Sequence, residues 1–203
     1  MTRRGKFIAF EGGESAGKST QAKLFADRIG ALLTREPGGT KLGEKIRSLI
    51  LNPDDDVSLF ARAELFLFAA ARAQHVQEVI EPALEQGIDV VCDRYSASTI
   101  SYQGFGRKLP MDDVEDIARL ASCGIEPDLY VLLDITPEAA KSRKALPDDR
   151  IEHEDALFHE RVLDGFRRLA EDDPASWVVV NADLEIEELA DEIAALVIPR
   201  LDH

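Results

Sequence analysis

Apolar residues fall along this chain in two alternating rhythms. Short, nearly continuous apolar runs recur at 6–12 (KFIAFEG), 31–39 (ALLTREPGG), 88–93 (IDVVCD), 128–134 (DLYVLLD) and 177–183 (WVVVNAD), each with Gly or Pro close by. Runs of this length, rich in Val, Ile, Leu and aromatics, predict strands covered on both faces, as in a parallel sheet. Between them the apolar positions take a helical period over residues 18–29, 41–51, 58–86 (with Pro82 near its end), 96–105, 112–123, 137–144, 154–171 and 185–198. Strand–helix alternation of this kind predicts a doubly wound α/β fold: a five-stranded parallel sheet flanked by helices on both faces. Ligands of such sheets bind beyond the carboxyl ends of the strands, where 11–19, Arg35, Asp93, Arg94 and Asp134 fall.

The 203 residues suit a single domain over 1–203. With 24 basic against 39 acidic side chains, the net charge of −15 argues against a broad nucleic-acid-binding face. An anionic ligand must then be held by cations gathered locally. Cys92 and Cys123 are too few for a disulfide framework and read as reduced thiols. Arg3, Arg4 and Lys6 imitate the start of a signal peptide, but the apolar run 7–10 ends at Glu11, short of the roughly 7–15 residues an export signal needs. No stretch approaches a membrane span. A cytoplasmic protein is the expectation.

Gly12, Gly13, Glu14, Ser15, Ala16, Gly17, Lys18 and Ser19 fit G-x-x-x-x-G-K-[ST], between a predicted strand and a predicted helix. Glycines let the backbone curl until successive N–H groups face phosphate oxygens, and the helix adds its positive end. Lys18 is placed to reach the β- and γ-phosphates, Ser19 to ligate Mg²⁺, and Thr20 continues the turn. The segment predicts a nucleotide phosphate site on a P-loop NTPase fold. Motors, GTPases, ATPases and kinases share such a loop, so it does not name the reaction. Absence of NKxD and of an LSGGQ-like segment argues against GTPases and transporter ATPases, and so short a chain fits a small-molecule kinase.

Other segments supply a second anion site. Arg35, in TREPGGT, can fork onto a phosphate, and a cis peptide before Pro37 would suit the tight turn. Phe68 and Arg72 share a helix face. Their spacing alone fits a core ring with a surface cation better than a base-binding pair. Asp93 could hold a metal or orient the acceptor. Arg94, Ser98 and Tyr102 recur every four residues, with Gln103 beside them, and line one face if a helix runs through them. Lys141, Arg143, Lys144 and Arg150 make the segment at about 141–151 basic, a candidate lid over phosphates, although solvated surface charge is the commoner fate of such runs.

Taken together, FEGGESAGKST, TREPGGT, FAAARAQH, DRYSASTISYQG, PDLYVLLD and DRIE resemble the bacterial thymidylate kinase family over essentially the whole chain. The resemblance implies transfer of a phosphoryl group from ATP to dTMP, with Mg²⁺, in a homodimer. It implies that Phe68 stacks on thymine, Arg72 donates to it, and Ser98 and Gln103 lie near the base. Tyr102 would crowd the sugar 2′ position and Glu14 would approach the 3′-hydroxyl. Arg35 and Arg94 would clamp the dTMP phosphate, and Asp93 would serve the metal. Family members without an arginine in the phosphate loop, as here, use a basic lid. That assigns Arg150 to the transferring phosphoryl and Arg143 to the adenine side. Rival readings are a kinase of another nucleoside monophosphate and a non-catalytic nucleotide-binding regulator.

Overall fold

The computed structural model describes residues 3–53, 56–143 and 149–201. Strands β1 (Phe7–Glu11), β2 (Leu32–Arg35), β3 (Val90–Asp93), β4 (Leu129–Asp134) and β5 (Trp177–Asn181) form one parallel sheet in the order β2-β3-β1-β4-β5. The register sets Phe10 beside both Asp93 and Val131, and Arg35 beside Asp93. The carboxyl ends that carry Glu11, Arg35 and Asp93 therefore meet at one edge. The central strands are buried as their apolar runs require, β1 along its whole length. The outer strands differ from expectation: Leu33 is 42 % and Val179 52 % exposed. Each outer strand has a neighbour on one side only, and the helices do not cover it completely.

Helices fill both faces. On one face, α1 (Lys18–Ile29) and α9 (Ile186–Leu201) cover Ile8 and Phe10 of β1, with Phe25, Ile193 and Val197 in the same core. On the other, Phe7 and Ala9 meet Val76 and Ile80. A third core joins Ile46 and Ile50 of α2 (Lys41–Leu51) and Ala71 of α3 (Ala61–His75) to Phe158 and Phe166 of α8 (Ala156–Asp172). Burial of each such Ile or Phe contributes about 1.5–3 kcal/mol. The remaining helices are α4 (Glu81–Glu85), α5 (Ser96–Thr99), α6 (Met111–Ala121) and α7 (Pro137–Arg143).

Two predicted helices are not uniform. Between α3 and α4 the chain widens into a π-helical turn at Val76–Ile80. Pro82, at the start of α4, has no N–H to continue the ladder, so the break falls where a donor is missing. After α5 the chain widens again over Ile100–Gly106, the stretch holding Tyr102 and Gln103. Such turns concentrate at functional sites because one extra residue re-aims its neighbours. Helix α9 runs three residues past its predicted end, through Pro199.

Candidate active site

The phosphate loop leaves β1 with Gly12 at φ 143°, where a Cβ would lie 2.6 Å from the Leu133 carbonyl oxygen. Gly17 caps α1 at φ 87°, and Ser15 also takes a left-handed φ of 61°. Only glycine meets the first two demands without strain. The curl brings Lys18 Nζ to 2.5 Å from the Gly13 carbonyl oxygen. The Ala16 methyl is packed into the core, so its side chain faces away from the cavity. Glu14, Ser15, Gly17, Lys18, Ser19 and Thr20 line a cavity of about 380 Å³.

Ser19 Oγ donates to Asp93 Oδ2 at 2.5 Å, and Asp93 Oδ1 is buried with no hydrogen-bond partner among the described residues. A buried carboxylate oxygen with nothing to accept, next to a hydroxyl on the phosphate loop, fits a hard divalent cation. Ser19 and Asp93, both expected from the sequence to serve Mg²⁺, thus lie side by side.

Arg94 crosses the cavity. It adopts φ 72°, a strained conformation that costs about 1–2 kcal/mol. The turn aims its guanidinium at Glu14 Oε1 (2.7 Å) and at the Gly12 carbonyl (3.2 Å), and lays it over the Tyr102 ring at 4.9 Å. Tyr102 donates its hydroxyl to the same Glu14 oxygen at 2.5 Å. Burial pushes the Glu14 carboxyl up, but Arg94 and then Lys18 outweigh it and its pKa falls to about 2. The helical stretch expected over 96–105 is present but does not reach back to Arg94. Helix α5 begins after Tyr95, whose ψ of −145° is non-helical, and the wide turn at Ile100–Gly106 follows. Arg94, Ser98 and Tyr102 are nevertheless brought together.

Opposite, half-buried Phe68 and buried Arg72 line the cavity. Arg72 is 2 % exposed, so it is no surface cation. It donates Nε to Glu36 (2.7 Å), Nη1 to Thr99 (2.9 Å) and Nη2 to the Tyr95 carbonyl (2.9 Å). Glu36 also meets His75 Nδ1 at 3.0 Å, beside the cis Glu36–Pro37 bond. Arg35 lines the same cavity, more than half exposed and paired with Glu44 at 3.0 Å.

Sequence reasoning missed Glu36, Thr99 and Arg47. Arg47 lines the cavity and donates to the Pro37 carbonyl at 3.0 Å. It had a signal: with Gly43, Ile46 and Ile50 it shares the inward stripe of α2, where a lone cation is out of place.

Several expected positions fall differently. Ser98 Oγ donates inward to Glu11 Oε2 at 2.6 Å, although Ser98 also lines the cavity. Asp134 turns to α8 and pairs with Arg167 at 2.9 Å. Arg143 donates to the Ala182 and Leu184 carbonyls at 2.6 and 3.1 Å, beside the β5–α9 connection. Arg150 is not brought to the phosphate loop: its Nη2 lies 2.5 Å from Glu64 and its Nε 3.1 Å from the Ile50 carbonyl. Its neighbours Asp149, Ile151 and Glu152 face the cavity instead. Lys144 and Pro147 of the expected lid lie outside the described residues.

Glu11 ties the two halves together. Fully buried, it accepts from Tyr95 N (2.8 Å), Ser98 N (3.2 Å) and Ser98 Oγ. Burial lifts its pKa from 4.5 to about 7, against the pull of Ser98 and Arg94. The folded chain thus holds this proton more tightly than the unfolded chain. The resulting stabilisation is complete below pH 4.5 and is lost as pH rises to about 7, a change of roughly 3 kcal/mol. Glu11→Gln cannot lose the proton. Its melting temperature relative to the unsubstituted protein is expected to rise between pH 5 and pH 8, as followed by circular dichroism. Parallel curves would remove Glu11 as the titrating group.

A phosphate loop at the carboxyl edge of a parallel sheet, facing arginines across a shared cavity, defines a nucleotide kinase of the P-loop NTPase fold. A model of the family described as thymidylate kinase matches residues 10–193. The chain is 43 % identical over 208 residues to the thymidylate kinase of Lactobacillus helveticus, covering 98 % of each chain. It is 47 % identical over 189 residues to that of Dehalococcoides mccartyi, covering 90 % of this chain and 91 % of the relative. The crystal structure of thymidylate kinase from Ehrlichia chaffeensis superposes with a TM-score of 0.80 at 30 % identity, over 96 % of this chain and 99 % of the other. The chain belongs to the thymidylate kinase family.

Proposed function

We propose that the chain transfers the γ-phosphoryl group of ATP to the phosphate of dTMP, giving ADP and dTDP, with Mg²⁺. The observation that carries this reading is one cavity lined both by Lys18 and Ser19 of the phosphate loop and by Arg35, Phe68, Arg72 and Arg94. A nucleotide sensor has no need of a second anion clamp.

The ATP phosphates lie along the loop amides from Gly12 to Gly17, with Lys18 at the β- and γ-oxygens and the purine toward Arg143. Thymine lies against Phe68, its carbonyl on Arg72, and Ser98 and Gln103 flank it. Tyr102 closes the sugar's 2′ side and Glu14 faces the 3′-hydroxyl. Arg35 and Arg94 hold the acceptor phosphate. Ser19 and Asp93 Oδ1 would hold Mg²⁺, which when bound neutralises charge on the donor phosphates. An acceptor phosphate oxygen, already ionised near neutral pH, forms the new bond to phosphorus. The bridging bond breaks and its electron pair leaves with ADP, so no strong base is required. Alignment, charge stabilisation and exclusion of water supply the catalysis. Arg150, assigned to the transferring phosphoryl, reaches it by exchanging its contact with Glu64 for the donor phosphates.

Helices α2, α3 and α6 pack side by side and leave Leu49, Phe66 (57 %) and Leu120 (70 %) exposed, an apolar face suited to a second copy of the chain. No described helix is long and apolar enough to cross a membrane.

The test is ADP release by the purified protein from ATP with each nucleoside monophosphate in turn. The expected result is a kcat/KM for dTMP at least tenfold above every ribonucleotide and above dCMP, with little ADP formed when no acceptor is present. A better acceptor than dTMP, or equal turnover without one, overturns the reading.

A further inference from the structure

Glu64 is a buried carboxylate that the mechanism above does not use. It lies in the first turn of α3 and is 1 % exposed. Four hydrogen bonds converge on it: Gln103 Nε2 at 2.9 Å, Arg107 Nε and Nη2 at 3.1 and 3.0 Å, and Arg150 Nη2 at 2.5 Å. Arg107 is itself fixed, with Nη1 on Glu154 at 2.5 Å and its guanidinium 4.7 Å above the Phe158 ring.

This arrangement dictates how Gln103 sits. A carboxylate removed from water is costly unless cations and donors surround it. Two guanidinium groups do so here and keep Glu64 ionised; burial acts the other way, but the contacts from Arg107, Gln103 and Arg150 together outweigh it and the pKa ends below the ordinary value. Arg107 remains if Arg150 departs. An ionised carboxylate accepts and never donates. Gln103 is 1 % exposed, so it has one satisfied orientation, with its NH2 arm on Glu64. The arm left for the cavity that Gln103 lines is the carbonyl.

We propose that Glu64 is a positioning residue for base selection: by holding the amide NH2 of Gln103, it presents Gln103 Oε1 to the acceptor base as a hydrogen-bond acceptor only. Arg72 beside it is a donor only. The pair reads a base edge that offers a carbonyl next to a ring N–H. Thymine and uracil have that edge. Cytosine has an amino group and a bare ring nitrogen there, which sets donor against donor and lone pair against lone pair. The inference rests on the reading above that places the base between Phe68 and Arg72 with Gln103 at its edge.

The test compares dTMP and dCMP as acceptors for the unsubstituted enzyme, Glu64→Gln and Gln103→Ala. A glutamine at position 64 both donates and accepts, so Gln103 loses its imposed orientation. The expected result for Glu64→Gln is a roughly tenfold fall in the kcat/KM preference for dTMP over dCMP, carried mainly by the KM for dTMP, with the KM for ATP unchanged. A merely structural role would lower stability, and activity toward both acceptors equally, leaving the preference intact. If Gln103→Ala loses the preference while Glu64→Gln keeps it, Glu64 does not orient Gln103 and this proposal alone fails. If Gln103→Ala keeps the preference, the base does not lie against Gln103, and the site reading fails with it. Should Glu64→Gln not fold, neutron diffraction from the unsubstituted enzyme with dTMP decides. Deuterium on the amide arm facing Glu64 supports the proposal, and deuterium on the arm facing the base overturns it.

Discussion

Lys18→Ala is expected to lower kcat by about two to three orders of magnitude while leaving the fold in place. The ammonium group is the only side-chain cation contributed by the phosphate loop, and it is buried 2.5 Å from the Gly13 carbonyl. Donors fixed in place before reaction stabilise developing charge most where water is excluded. Stability should change little, because two effects oppose. The variant loses attraction to Glu14 and Asp93, but it also escapes the desolvation of a buried ammonium and its repulsion by Arg94. Those last two already lower the Lys18 pKa from 10.5 to about 8. The same shift gives a second readout. Lys18 in the ligand-free protein loses its proton as pH passes about 8, so the KM for ATP should rise between pH 7 and pH 9 in the unsubstituted enzyme and stay flat in Lys18→Ala. Steady-state kinetics at the two pH values, with thermal melts alongside, check both. Near-normal turnover of a well-folded variant would remove Lys18 from the reaction.

Motifs whose chemistry is local are legible from the amino-acid sequence alone. Gly12 to Ser19 carry their own geometry, since curl, dipole and cation come from one segment. The apolar runs mark five strands, and the start of α1 at Lys18 follows from the glycine before it. What escapes such reading depends on partners distant in sequence. Nothing around Glu64 says that Gln103, Arg107 and Arg150 will converge on it from 39, 43 and 86 residues away. Glu36 reads as one polar residue before a proline until Arg72 and His75 arrive from α3. Arg150 is the converse case. Its charge is evident in the sequence, but the chain's twist through 149–152 sends its side chain to Glu64 while its neighbours face the cavity. The π-helical turn at Ile100–Gly106 is hidden for a related reason: helical periodicity counts apolar positions, and one extra backbone residue per turn barely disturbs the count.

Arg72→Ala is expected to have two separable effects, and separating them tests the base site. The first is on stability. Arg72 donates to Glu36, Thr99 and the Tyr95 carbonyl, and its guanidinium stacks 5.0 Å from the Tyr95 ring. Burial works against its charge, but Glu36, with Tyr95 and Glu11, outweighs that and its pKa is raised. Truncation leaves the Glu36 carboxylate, 5 % exposed, with His75 as its remaining side-chain partner among the described residues. Removing one partner of a buried pair costs about 3–5 kcal/mol, which in a chain of this size lowers the melting temperature by roughly 10 °C. The second effect is on the acceptor. Losing the donor to a thymine carbonyl should raise the KM for dTMP by about a hundredfold, with the KM for ATP within about twofold of its starting value. The double variant Glu36→Ala/Arg72→Ala distinguishes the two. Deleting both charges removes the orphaned carboxylate, so much of the lost stability should return, as it does when both members of a buried pair are replaced. Binding of dTMP should not return, because the donor is still missing. Recovery of dTMP binding along with stability would mean that Arg72 only braces α3 against the Glu36 turn, and that thymine is read by other groups in the cavity.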